Sequence, residues 1–176
     1  MRNKILKITM IFAALILSLP VIANADPVND DLLMMYIDSY ASYKNNEYSQ
    51  IDEDNYQVTP VISDSRTLVP ARFVAEAFDC EVLWDGEMQE VTITDIDHTI
   101  KCRINSTAIT VDGEEILLDV PAQIINDRTM LPLRALAENL DRAVDYYNGL
   151  IVIGSESSVK TTMQQDIYTI IIVGMT

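Results

Sequence analysis

Residues 66–78 read RTLVPARFVAEAF and residues 128–140 read RTMLPLRALAENL, nearly the same segment twice, 62 positions apart. Arg66, Thr67, Pro70, Arg72, Ala75, Glu76, Asp79 and Val82 recur as Arg128, Thr129, Pro132, Arg134, Ala137, Glu138, Asp141 and Val144. Each copy predicts a short helix opened by proline, whose missing N–H would be unpaired in the first helical turn anyway. In the first copy Val69, Phe73, Val74, Ala77 and Phe78 form an inward face, with Arg72 and Glu76 four apart on another side. The second helix is expected over Pro132–Leu140. Arginine and glutamate at this spacing suit either ligand contacts or an ion pair that fixes helix to hairpin. A small enzyme seldom needs two equivalent catalytic pairs, so duplication favours structure. An exposed pair of this kind contributes only about 0.3–0.5 kcal/mol. Arg66, Pro70, Arg72, Glu76, Arg128, Pro132, Arg134 and Glu138 are therefore read as parts of a structural repeat, with the shared motif PxRxxxE.

Around the repeats the pattern is that of strands. Glu81–Trp84 and Val91–Thr94 flank Asp85-Gly86, and Val91 and Ile93 alternate inward. Thr99–Ile104 follows. Ile109–Val111 and Glu114–Leu118 flank Asp112-Gly113, a strong hairpin signal. Ile124–Ile125 precedes the second helix, and Leu150–Ile153 closes the sheet. Upstream, LLMMYIDSY fits a helix or a strand. The Asn45-Asn46 turn that follows favours strand, turn, strand, because Asn tolerates the positive φ of a type I′ turn. Ile51–Asn55 reads as an acidic linker and Val58–Ile62 as a short strand that Pro60 confines to an edge.

The ends differ in character. Arg2, Lys4 and Lys7 precede an apolar run through Ile22, and Ala23-Asn24-Ala25 supplies an A-x-A pattern, so residues 1–25 read as a secretory signal peptide cut before Asp26. An uncleaved anchor would need roughly 20 apolar residues. The mature chain then carries nine Lys and Arg against 27 Asp and Glu, a formal charge of 9 − 27 = −18. That balance argues against nucleic acid or anionic lipid as partner and suits a basic partner or cations. A chain of this length buries roughly 68–70% of its unfolded surface in one core. Residues 156–176 read as a polar linker followed by an apolar tail, Ile167–Met175, too short to span a bilayer. The tail suits a last strand, a docking segment or the start of a further region.

Cys80 and Cys102 both fall on inward parity, which leaves two alternatives for an exported chain. They are buried free thiols, as cysteine so often is, or a Cys80–Cys102 disulfide whose Cα separation the spacing cannot fix.

Taken in order, the RTLVPxRFVAEAF segment, VLWDG, VTIT, the Asp-Gly hairpin and VPAQIINDRTMLPLRALAENL resemble the copper amine oxidase N-terminal-like domain. This is a stalk-type module of exported proteins in Gram-positive bacteria. The resemblance covers about Leu33–Ser155. It implies an α+β fold in which a twisted antiparallel β-sheet packs against two short helices, and an accessory role rather than the oxidase's own. Two departures stand out. Asp79 and Asp141 stand where the family usually has Gly just past each helix, and Tyr146-Tyr147-Asn148 replaces Trp84-Asp85-Gly86, which predicts an altered second hairpin.

The residue inventory opposes catalysis. A copper amine oxidase site needs three histidine ligands, and the whole chain has one, His98. Asn55-Tyr56 resembles the Asn-Tyr of the cofactor-forming motif, but Gln57 follows instead of an acid. A Ser-His-Asp triad has only His98 to draw on and no nucleophile elbow. With five glycines in the chain there is no phosphate loop. Asp52–Asn55 and Asp95–Asp97 offer hard oxygens but match no EF-hand. The acidic residues read as a solvated surface rather than a hydrolase's paired carboxylates.

These observations predict a signal peptide (1–25), an N-terminal hairpin and acidic linker (26–57), a stalk-type domain (58–155) and a linker with tail (156–176). No cofactor and no metal is expected. The chain reads as a secreted, non-catalytic module of the cell envelope that binds a protein or cell-wall partner. The alternative is an exported inhibitor, adhesin or accessory subunit that works through its Tyr-rich hairpin or its tail.

Overall fold

The computed structural model describes residues 31–45 and 47–164, and within them the strands are joined by short turns. The chain enters through β1 (Leu32–Tyr36), β2 (Ala41–Lys44) and β3 (Glu47–Gln50). LLMMY is thus a strand, and its Leu33 and Met35 face one core while Leu32 and Met34 face another. Asn45 holds φ +53 in the β2–β3 turn, the left-handed conformation for which asparagine suits it.

The first repeat unit comprises β4 (Val61–Ser63), β5 (Arg66–Pro70), helix α1 (Ala71–Ala77), β6 (Glu81–Asp85) and β7 (Glu90–Thr94). A middle set, β8 (Thr99–Arg103), β9 (Ala108–Val111) and β10 (Glu114–Leu117), follows. The second unit has β11 (Gln123–Ile125), β12 (Arg128–Pro132), α2 (Leu133–Ala137), a 3-10 turn (Glu138–Leu140), β13 (Ala143–Tyr147) and β14 (Leu150–Gly154). A third helix, α3 (Glu156–Gln164), comes last.

The two units meet about a local two-fold axis. β5 and β12 pair antiparallel with the equivalent residues Val69 and Leu131 opposite each other, and the flanking pairs Leu68–Pro132 and Pro70–Met130 are exchanged by the symmetry. The outer hairpins match as well. Val61, Ile62 and Ser63 pair with Leu68, Thr67 and Arg66, as Gln123, Ile124 and Ile125 pair with Met130, Thr129 and Arg128. Their turns use Asp64-Ser65 and Asn126-Asp127, all at positive φ. Each helix also ends alike. Cys80 N–H donates to Ala75 O and Asp79 N–H to Glu76 O; Arg142 N–H donates to Ala137 O and Asp141 N–H to Glu138 O. This double bond pattern satisfies the last helical carbonyls and requires a left-handed residue after the cap, supplied by Asp79 (φ +61) and Asp141 (φ +54) instead of glycine.

Among the described residues three antiparallel sheets result where the sequence led us to expect one, with orders β13-β14-β1-β2-β3, β10-β9-β8-β7-β6 and β11-β12-β5-β4. The single-sheet expectation failed because the two units send their second hairpins in different directions from the shared β5–β12 pair. β14 closes a sheet with β1, not with β7. The hairpins differ as predicted: Asp85 opposes Glu90 across a four-residue loop, whereas Tyr147 opposes Leu150 across Asn148-Gly149.

The main core lies between the sheets and gathers Leu33, Met35, Ile151 and Ile153, Val74 and Leu136 of the helices, and Ile93, Ile100 and Ile109. Leu32, Met34, Leu150 and Val152 form a second layer on the far face of the first sheet, covered by Val159 of α3. The expected helix count of two is therefore corrected to three short helices among the described residues. Residues 156–164 form a helix, not an open linker, because Ser155 caps it, accepting from Ser158 N–H, and Val159 has a layer to cover. The signal-peptide segment and the apolar tail lie outside the described residues. Among the described residues no helix is long and apolar enough to cross a membrane.

Candidate functional site

The repeat residues occupy equivalent backbone positions but not equivalent surroundings. Arg66 pairs with Asp119 through Nε at 2.9 Å and Nη2, with both side chains more than half exposed. Arg128 donates through Nε to Asp52 Oδ2 at 2.6 Å, and the Asp52 side chain is only 13% exposed. The acidic stretch 51–55 is thereby pinned. Asn55 Nδ2 donates to Asn126 O and Asn126 Nδ2 to Gln57 O, a reciprocal bracket between that loop and the second repeat.

Arg72 Nη1 donates to Glu76 Oε1 and to Val82 O, both at 3.2 Å, tying α1 to β6. Arg134 and Glu138 form no such ion pair. Glu138 begins the 3-10 turn, where side chains four apart no longer stack on one face. Pro70 and Pro132 each stand at the helix entrance with no side-chain cap.

Cys80 and Cys102 are buried, free thiols in the main core. Burial pushes Cys80 up to about 11, with a smaller contribution from Asp95, and burial pushes Cys102 up to about 12. Neither is poised as a nucleophile or a metal-binding thiolate.

His98 is held in a way that its sequence neighbours did not reveal. Its Nδ1 lies 2.8 Å from Asp112 Oδ2 in the β9–β10 turn, and its Nε2 lies 3.2 Å from Asp141 Oδ2 just past α2. These partners are 14 and 43 residues away in sequence. The adjacent Asp95 instead accepts from Asp97 and His98 N–H, shaping the loop. Hydrogen bonds to Asp112 and then Asp141 raise His98 from an ordinary 6.5 to about 9, so at neutral pH it is an imidazolium between two carboxylates. A protonated ring has no lone pair for a metal. Among the described residues no cluster of three or more His, Cys, Asp or Glu is placed to hold one.

What the surface offers is aromatic and apolar. Tyr40 and Tyr56 meet edge to face with centroids 5.2 Å apart, and Tyr43 and Tyr48 do the same across β2–β3 at 5.8 Å. Tyr40, Tyr48 and Tyr56 are all exposed, and among the described residues β3 pairs on one side only, with β2. A separate groove of about 660 Å³ runs between β4, β10, α2 and β13, lined by Ile62, Leu117, Pro132, Arg134, Val144 and Tyr146. Ile62, Leu117 and Tyr146 are exposed there, and among the described residues β4, β10 and β13 each end their sheet.

A family model for the copper amine oxidase N-terminal domain matches residues 49–153, which span both repeat units. The chain belongs to that family. No curated protein matches it. The copper amine oxidase N-terminal domain is an accessory part of those enzymes, not their catalytic one. In this chain the matched region begins within β3 and ends within β14. β1, β2 and α3 thus lie outside it, yet β1 occupies the centre of the first sheet, between β14 and β2.

Proposed function

We propose that this stalk-type domain is exported and works without catalysis, as a binding module of the cell envelope. The observation that carries the non-catalytic half is the placement of His98. It is the chain's sole histidine, and both its ring nitrogens are engaged by aspartates, Nδ1 by Asp112 and Nε2 by Asp141. Copper chemistry needs neutral imidazoles, and the two thiols are buried and protonated. The contact surface we assign is the Tyr43–Tyr48 pair, whose members stand opposite each other on β2 and β3 with Tyr48 exposed. Tyrosine offers a large apolar ring and a hydroxyl at low conformational cost, which suits recognition. The chain's excess of acidic residues favours a basic partner by steering. Export rests on the cationic and apolar N-terminus with its A-x-A pattern. Elemental analysis of protein purified from its native host tests the reading. We expect copper well below one equivalent per chain, and one equivalent would overturn the non-catalytic role.

A further inference from the structure

We propose that the groove between β4, α2 and β10 binds a short apolar peptide of no net charge, with the peptide's carboxylate on Arg134 and its ammonium on Glu138.

The first observation is an arginine left over. The described residues hold six arginines, and five are ion-paired: Arg66 with Asp119, Arg72 with Glu76, Arg103 with Glu90, Arg128 with Asp52 and Arg142 with Asp31. Arg134 has no such partner among the described residues, in a chain whose 27 Asp and Glu outnumber its 12 Lys and Arg. With carboxylates this abundant, an unpaired guanidinium reflects its placement, not their scarcity.

That placement follows from the repeat. Arg72, the counterpart in the first unit, bonds both Glu76 and Val82 O. Glu138 does not pair with Arg134, because the chain tightens into a 3-10 turn there and carries the carboxylate off the arginine's face. The second unit therefore presents a cation and an anion, separate and both exposed, along the same groove.

The groove's other walls are apolar. Leu117 of β10 is 75% exposed and Ile62 of β4 is 52% exposed. Arg66 and Asn139 also line it but are already committed, to Asp119 and to Ala135 O. A volume of about 660 Å³ falls within the roughly 300–1,000 Å³ of small-ligand sites, room for a short peptide rather than a folded domain.

The occupant follows by complementarity. It needs one carboxylate, which a guanidinium binds through two parallel N–H bonds, one ammonium for Glu138, and apolar side chains for Leu117 and Ile62. A peptide of no net charge also escapes the repulsion that an anion meets from an acidic chain. The groove shares no lining residue with the Tyr43–Tyr48 surface, so the two readings stand or fall separately.

The test is calorimetric titration of the intact protein with the tripeptide leucyl-alanyl-leucine, its C-terminal amide and its N-acetyl form. We expect the free tripeptide to bind with a Kd below about 1 mM, and each blocked form to bind at least about tenfold more weakly, the loss expected of one charge-assisted bond. Arg134→Gln should lose the same factor for the free tripeptide and none for the amide. Arg134 is exposed and unpaired among the described residues, so this variant should keep its Tm, which thermal unfolding checks. No binding of the free tripeptide overturns the proposal, as does equal affinity for it and either blocked form, or undiminished binding by Arg134→Gln. A doubled mass in light scattering that Leu117→Ser abolishes also overturns it, since a second copy would then occupy the groove.

Discussion

Arg66 and Arg128 hold the same place in the two repeats, so replacing each by alanine is a controlled comparison of environment at constant local sequence. Arg66 and Asp119 are 51% and 70% exposed, a pair that water and salt screen, and losing it should cost less than about 1 kcal/mol. Arg128 is 39% exposed, but its partner Asp52 is only 13% exposed. Without Arg128, the Asp52 carboxylate keeps one bond, from Asp54 N–H at 3.1 Å, and must otherwise stay shielded from water without a counter-charge. Fully buried pairs broken on one side cost about 3–5 kcal/mol, so this half-shielded one should cost about 2 kcal/mol. For a chain of this size that is about 4–8 °C in Tm, against less than about 4 °C for Arg66→Ala. Thermal unfolding by circular dichroism reads both. The Arg128/Asp52 double-mutant cycle should also show coupling, with the double variant losing less than the two singles together. Raising the salt should shrink the Arg66 effect more than the Arg128 effect. Equal Tm losses for the two arginines, or strictly additive behaviour in the cycle, would refute this reasoning.

The His98 contact predicts a pH dependence. Its folded value of about 9 lies above its ordinary 6.5, so the stabilisation is complete below about 6.5 and is lost as pH rises through about 9. His98→Gln should flatten the decline in Tm over that window. The same bond holds Asp112 below its ordinary 3.8, so stability should fall again on acidification below that value. Thiol titration under unfolding, non-reducing conditions should find two reactive cysteines, and none would mean a Cys80–Cys102 bridge. In the native protein both should react slowly, Cys102 the more slowly, since burial raises it further. Gly149→Ala should destabilise more than Gly113→Ala. Both have φ near +90°, but a Cβ at Gly149 would sit 2.9 Å from the Tyr36 ring, whereas Gly113 faces open space. The strain common to both is about 1–2 kcal/mol, and chemical denaturation would separate the two.

The readable part of this fold was its local part. Proline at each helix entrance, Asp112-Gly113 and Asn45 in turns, and alternation at Val91 and Ile93 depend on neighbours a few residues away, and each fell where the pattern put it. The number of sheets was not readable. It depends on which hairpin meets which after the β5–β12 pair forms, and β1 could join β14 only through a separation of more than a hundred residues. α3 was misread because its sequence is polar on most positions, and a single Val159 seated by a Ser155 cap was enough to make it a helix. At the candidate site, the Arg72–Glu76 spacing was legible, but the failure of Arg134 and Glu138 to pair was not, since it follows from a local tightening into a 3-10 turn. The partners of His98 were hidden for the same reason as the sheets: Asp112 and Asp141 reach it only through tertiary packing. Asp141 did leave a trace, as an aspartate just past a helix, at a left-handed position that glycine suits best. In the structure it accepts the left-handed position and brings a carboxylate to His98.

The central claim is that this domain acts by binding at the envelope through its Tyr43–Tyr48 pair. The most direct test is recovery of the protein with envelope fractions of its native host, compared between the unaltered chain and a Tyr48→Ala variant whose Tm is unchanged. Our account predicts that the variant's recovery falls at least fivefold. Equal recovery of the two proteins would contradict it.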